Sequence, residues 1–317
     1  MAVSRSFSTR ARSSTLPDRI TIVTVTITTA ACPSIDQVCE RALRLPCSPA
    51  LLPRLIAVLV SSDSSADEVA DLIKVDSALA ASTLRLANSA FFSAGGKADS
   101  VTDAVIRLGQ RELYRLASLA LVGRWETGAG GGGEPGDFCR HALCTALAAE
   151  VLAETSERID PQAAYTAGLV CDLGKLAIAH ACAPFFPAIR AHCASRGGTW
   201  SEAERDVLGY THAAVGARLL RAWNFPAALI SAAEFCERPT EAPPEALALL
   251  AHLHAAKYVA TSFGPGVSED GFLFELNTDF LLEWGFTAEL LQETMAIVHE
   301  RARARLQDKL THGTVTL

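Results

Sequence analysis

A chain of 317 residues, half of them hydrophobic and 20% charged, holds enough apolar matter for one large core or two modest ones. Its 28 Lys and Arg stand against 35 Asp and Glu, a formal net charge of −7, which argues against a nucleic-acid protein, whose affinity would rest on basic surface. Nine cysteines, an odd number with no CxxC spacing, read as reduced thiols in a cytosolic core rather than a disulfide framework.

The first 34 residues are expected to be a disordered or poorly structured extension, or the product of a misplaced start. Arg5, Arg10, Arg12 and Arg19 precede Ile20–Ile27, and Ala30-Ala31-Cys32 follows, a pattern faintly like an export signal. The apolar stretch alternates Ile and Val with Thr, however, and reads better as a strand. No apolar run reaches the ~18 residues of a membrane span, so a cytoplasmic protein without membrane contact is expected.

From Ile35 onward the chain reads as helices. Leu51, Leu52, Leu55, Ile56 and Leu59 recur at helical spacing within 49–60. Ser65 to Glu68 forms a capping-box pattern ahead of Val69, Leu72 and Ile73. Asp76 can cap a helix over 78–87, Ser100 to Asp103 opens another, and Gly109 is placed to end it. A longer helix over 112–122 follows. Residues 128–136 then contain six glycines and one proline, which no helix interior tolerates. This divides the chain into an N-terminal lobe over 35–126, a linker over 127–137, a second lobe over 138–265 and an extension over 266–317, all within one helical module.

The second lobe is predicted to run through helices over 138–154, 161–181, 184–195, 202–208, 212–223, 226–236 and 244–262, with Pro161 at a helix start. Ser201-Glu202-Ala203-Glu204 reads as a second capping box. Helices over 279–284 and 288–310 close the chain. Glu300 to Arg305 is so charged that a solvated face is expected there, with a partner-docking surface as the alternative.

One stretch departs from this pattern. In Gly168-Leu169-Val170-Cys171-Asp172-Leu173-Gly174-Lys175 an acid lies inside an apolar helix, where it must find a cation, a metal or donors. The segment resembles the Gly-Leu-Leu-His-Asp-x-Gly-Lys signature of HD phosphohydrolases, with Cys171 where that signature has histidine. Leu45-Pro46-Cys47-Ser48-Pro49, Asp76 to Ala80 with Leu84 to Phe91, and Ser100 to Gly109 resemble, in order, three blocks of the HDOD domain, a divergent signalling branch of that superfamily. The resemblance implies an all-α, two-lobed fold.

It also implies a place for each former metal ligand. The first histidine falls on His141, the His-Asp pair on Cys171 and Asp172, the next histidine on His212, the later His-His pair on Cys236 and Glu237, and the final aspartate on Lys257. Three positions, His141, Asp172 and His212, keep the ligand type and would be the residues to hold a metal if any did, although Cys171, Cys236 and Glu237 carry side chains that can also ligate one, in a set that would suit zinc. An ammonium at position 257 repels a divalent cation and, while protonated, offers no lone pair. No metal or other cofactor is therefore expected. Lys257 is expected to occupy the vacated position and pair with Asp172, with Lys175 as a rival partner, and His141 and His212 are expected to be satisfied core residues.

The function implied is that of a non-catalytic bacterial signalling scaffold working through protein–protein contact, in two-component or cyclic di-GMP pathways. Its partners would be a histidine kinase, a response regulator, or GGDEF or EAL proteins. No such domain pattern occurs within the 317 residues, so a partner in trans is expected. Two alternatives stand beside this reading: a residual metal-dependent phosphohydrolase or phosphodiesterase, and a sensor that holds a nucleotide in the degenerate cleft.

Overall fold

The structure, a computed structural model, describes residues 31–44, 54, 58, 65–89, 92, 97–129, 137–263 and 275–310. Among them it is helical throughout, with no strand. The expected strand over 20–27, all of the expected helix over 49–60 but residues 54 and 58, the family's Leu45–Pro49 entry and most of the glycine run lie outside the described residues.

The N-terminal part holds α1 (Ile35–Leu43), α2 (Ala66–Lys74), α3 (Ser77–Ala87) and α4 (Val101–Ala129). Local chemistry starts them. Ser34 with Gln37, and Ser65 with Glu68, close reciprocal capping boxes, satisfying backbone donors that a helix start leaves free. Asp76 accepts from the Leu79 amide at 3.0 Å. Asn88 bridges both backbone groups of Ala98, at 2.7 and 3.0 Å, so its amide pins a distant loop rather than its own helix end. Gly109, at φ 72° and ψ 162°, breaks α4 in a conformation only glycine adopts readily, and the second half runs to Ala129, past the expected end at 122.

The rest comprises α5 (Asp137–Ser156), α6 (Pro161–Val170), α7 (Leu173–Cys182), α8 (Phe186–Arg196), α9 (Trp200–Leu208), α10 (His212–Ala222), α11 (Ala227–Phe235), α12 (Leu247–Thr261), α13 (Thr278–Glu283) and α14 (Ala288–Leu310). Every residue of α5 from Phe138 to Ala153 except Arg140 is buried. A helix covered on all sides needs apolar residues all round, and small ones here let α4, α6, α12 and α14 pack upon it. The helical run Pro161–Arg196 is long and apolar enough to cross a membrane, unlike the sequence expectation, but 67% of its apolar window is buried inside the fold.

The lobe boundaries drawn from composition shift in three places. Residues 31–34 are held down: the Tyr210 hydroxyl donates to the Pro33 carbonyl at 2.7 Å. Helix α1 lies on α7 and α10 rather than with α2–α4, and Asp36 pairs with Arg218. The terminal helix α14 is no detached extension, since Val298 and Ala302 enter the core and Arg301, expected to be solvated, reaches inward to Glu150 and Glu154 at 3.7 and 3.0 Å. One continuous buried core links Val38 to Ala302.

Candidate functional site

The predicted helix over 161–181 breaks in two, and the break makes the site. Asp160 caps α6 by accepting from the Ala163 amide at 2.8 Å, and Pro161 takes the first helical position. Cys171 ends α6, and Asp172 turns the chain at φ −98°, ψ 10° before α7 begins. The Asp172 carboxylate, 3% exposed, thus leaves the helical register and faces a space bounded by α5, α10, α11 and α12.

Gly174 brings the next ligand in. A Cβ there would stand 1.9 Å from the His212 carbonyl oxygen and 2.6 Å from the Gly216 amide nitrogen. Only a hydrogen at this position lets α7 and α10 cross backbone to backbone. The crossing sets His212, first residue of α10, beside Asp172, with Nε2 3.9 Å from Oδ1.

All eight positions named from the sequence converge here. Lys257 Nζ, from α12, lies 2.9 Å from Asp172 Oδ1, 3.3 Å from Glu237 Oε1 and 3.7 Å from Cys236 Sγ. Lys175 folds back from the first turn of α7 to 3.3 Å from Asp172 Oδ2, so the two lysines share one acid rather than compete for it. His141 places Nε2 3.7 Å from Asp172 Oδ2; its Nδ1, buried, has no hydrogen-bond partner among the described residues. Cys171 and Cys236 each end a helix at this junction, α6 and α11, and each donates its thiol to a carbonyl three residues earlier.

Glu204 was not foreseen. The capping box sits two residues earlier than expected, on Thr199 and Glu202, which frees Glu204 to turn inward. Its Oε2 accepts from both the backbone amide and Nδ1 of His212, each at 2.7 Å, while Oε1 accepts from Trp200 Nε1 at 3.1 Å. The helical face carrying Trp200, Ala203, Glu204 and Leu208 was the available signal. His212 Nε2 then reaches Glu237 Oε1 at 3.1 Å, and Ser201 donates to Glu237.

The electrostatics follow. Burial pushes the Asp172 carboxyl up, but Lys175 and Lys257 override it and hold it well below the usual range. Glu237 is held low in the same way by His212 and Lys257. Burial opposes charge on His212 and Lys257, yet Glu204 and Glu237 hold the imidazole well above its ordinary value, and Asp172 and Glu237 do the same for the ammonium. The neighbouring Cys236, and then burial, push the Cys171 thiol well up. Three acids thus meet three cations in a closed set.

One atom each from Asp172, His212 and Glu237 lie within 4.8 Å of one another, a span that suits a divalent ion. The residues present nonetheless do not fit one. The oxygens that would bind it, Asp172 Oδ1 and Glu237 Oε1, hold the Lys257 ammonium, and His212 donates its ring nitrogens to Glu204 and Glu237.

The profile of the HDOD domain matches residues 45–239. The chain belongs to the HDOD family. An uncharacterised protein of Treponema pallidum is 26% identical over 231 residues, 73% of this chain and 44% of that protein, so the chain spans less than half of that relative. Among solved structures, an HDOD domain protein of unknown function from Geobacter sulfurreducens aligns with TM-score 0.61 at 23% identity, over 83% of this chain and 96% of that one. A candidate phosphohydrolase from Shewanella amazonensis aligns with TM-score 0.60 at 26% identity, over 83% and 93%. A candidate signal transduction protein from Marinobacter aquaeolei aligns with TM-score 0.66 at 23% identity, over 89% and 62%. These three solved structures share the fold of this chain.

Proposed function

We propose that this HDOD chain is a non-catalytic signalling module, acting by protein–protein contact, in which buried ion pairs replace a metal centre as the strut of the second half. The observation that supports this most is Lys257 Nζ, 2.9 Å from Asp172 and 3.3 Å from Glu237. A phosphohydrolase of the HD type depends on a cation to make hydroxide and to stabilise phosphoryl oxygens, and an ammonium supplies neither service. The cluster carries no spare negative charge to recruit a cation, and its donors already serve one another. What it supplies is rigidity: α5, α7, α9, α10, α12 and the segment after α11 all meet in it. The partner class is the set of bacterial two-component or cyclic di-GMP signalling proteins, in the cytoplasm.

The competing reading is residual metal-dependent phosphohydrolysis. The Asp172–His212–Glu237 grouping and the Shewanella candidate phosphohydrolase favour it. Elemental analysis of protein purified without chelator separates the two. Less than stoichiometric zinc, iron or manganese is expected. Stoichiometric metal that is lost in Asp172→Ala, with phosphodiester hydrolysis lost alongside it, overturns the proposal. Pull-down from the native host with the intact chain, against a Lys257→Ala control, identifies the partner.

A further inference from the structure

A serine at a helix end ordinarily bonds a carbonyl of its own last turn. Ser156, the last residue of α5, does so only weakly, at 3.4 Å from the Ala153 carbonyl oxygen. Its short contact is to a distant part of the chain: Oγ lies 2.6 Å from Nε2 of His252, on α12. The other ring nitrogen decides where the protons are. His252 Nδ1 lies 2.7 Å from the Ala248 carbonyl oxygen, which can only accept. Nδ1 therefore carries the hydrogen, and the bare Nε2 of the neutral ring accepts from the Ser156 hydroxyl. Burial holds the imidazole below its ordinary value, and the Phe286 ring packs edge-on against it at 4.9 Å. A hydroxyl, an imidazole base and a third group that fixes the base's tautomer are the parts of an activated nucleophile. Here a backbone carbonyl stands in the carboxylate's place. The Arg158 amide donates to the same Oγ at 3.3 Å, and the Arg158 guanidinium donates to the Trp284 carbonyl at 3.0 Å. Ser156 is half-buried beside exposed Glu157 and Arg158, while His252 is fully buried.

We propose that Ser156 is a base-activated serine, a site at which this chain takes an acyl group from an activated ester or thioester. Oγ attacks the acyl carbon as its proton passes to His252 Nε2. The bond from that carbon to the leaving oxygen or sulfur then breaks, the leaving atom takes the proton, and an ester remains on Ser156. The C-terminal end of α5 carries partial negative charge, which disfavours the oxyanion of the adduct. The donor must therefore bring a good leaving group, and the acyl-serine is the end product. Acylation removes the proton that Ser156 donates to His252 and adds a group where α5, α12 and the segment 284–286 meet. The pair shares no residue with the Asp172 cluster, so this inference stands apart from the scaffold reading.

The test is acetylation of the whole chain by p-nitrophenyl acetate, quenched in acid and followed by peptide mapping against time and pH. General-base assistance is worth about 10²–10⁴-fold, and Ser156 is expected at the low end, acetylated about 100-fold faster than the other serines. Ser156→Ala should abolish that product, and His252→Asn should slow it to the rate of the other serines. Should the histidine variant fail to fold, the pH profile of the unmodified chain decides. A serine served by a neutral imidazole is acetylated at a nearly constant rate from about pH 7 to about pH 9, whereas an unassisted hydroxyl gains about tenfold per pH unit. Three results overturn the inference: Ser156 acetylated no faster than the other serines, a rate that climbs with pH in the unassisted way, or an unchanged rate in a folded His252→Asn. Each leaves the pair as a structural hydrogen bond and leaves the scaffold reading as it stands.

Discussion

Two buried ion clusters hold this molecule together, and they are built differently. Around Asp172, every charge is drawn from one closed set: Lys257 and Asp172 are each only 4% exposed, and Glu237, at 22%, reaches the rim. Around Glu150, itself 1% exposed, the cations are arginines that arrive from outside: Arg115 and Arg111 from α4, and Arg301 from α14, the latter two 51% and 36% exposed. The second cluster ties three helices from distant parts of the chain, with Arg115 also lying over the Tyr165 ring at 5.6 Å. Guanidinium forks suit such junctions because they keep contact with water while spanning two acids. A buried lysine has no such escape, so the first cluster is stable only while complete.

Lys257→Ala is the hardest test of that difference. It leaves Asp172 and Glu237 facing each other with only Lys175 and His212 to compensate, and a broken buried pair costs about 3–5 kcal/mol. Denaturant unfolding should show a loss of that size. Replacing the acid as well, in Asp172→Asn with Lys257→Met, should recover part of it, because no uncompensated charge remains. A loss under about 1 kcal/mol, the value typical of an exposed pair, would sink the claim that the cluster is a closed unit.

Gly174→Ala comes next. The added methyl meets the backbone of α10, not a movable side chain, and overpacking of this kind costs typically about 1–3 kcal/mol and occasionally more. The expected signature is local: lost amide protection in α7 and α10, with α2–α4 unaffected. Equal loss of protection in α2–α4 would contradict the separation of the two clusters.

Titration sharpens the comparison further. Asp172 and Glu237 are depressed, so their contribution is present above the unfolded carboxyl range of about 4 and fades as pH falls through their folded values. His212 is raised, so its contribution is full below about 6.5 and is lost as pH rises through its folded value. His252 and His254 are lowered by burial and act oppositely, eroding stability as pH falls below about 6.5. The deficit of His212→Gln relative to the unmodified chain should therefore be largest in mildly acidic buffer and shrink on the alkaline side. Thermal midpoints across that range decide it, and a deficit that grows with pH would show that His212 is neutral in the folded protein.

These contrasts were unevenly legible in the sequence. Helix starts were plain, because Ser65 with Glu68 and Asp160 with Pro161 act through their immediate neighbours. The Lys257–Asp172 pair was also legible, since exchanging an acid for a base at an aligned position leaves a specific charge to be met. Glu204 was hidden, because an acid in a turn-rich stretch looks like a cap until its helix start is fixed at Thr199. The placement of α1 was hidden for another reason: Val38, Cys39 and Ala42 say which face is buried, but not that α7 and α10 cover it. Arg301 sat in a charged run whose average is solvated, and one inward residue in such a run leaves no compositional trace.

Arg301→Ala is the mildest of these tests and the one that reads the second cluster alone. Glu150 keeps Arg115 and Arg111, and Glu154 keeps Arg111, so no acid is stranded. An exposed pair is worth about 0–1 kcal/mol, and a partly buried carboxylate raises this only modestly, so a loss of about 1 kcal/mol is expected. Because Arg301 and Arg111 are open to water, salt should screen much of that difference, the Debye length falling from about 10 Å at 0.1 M to about 3 Å at 1 M. The Lys257→Ala deficit, in a cluster that ions do not enter, should persist through the same change. Denaturant midpoints of both variants at the two salt concentrations settle the matter. Equal salt sensitivity would mean that the two clusters are screened alike, and that the closed lysine cluster is as open to solvent as the arginine junction.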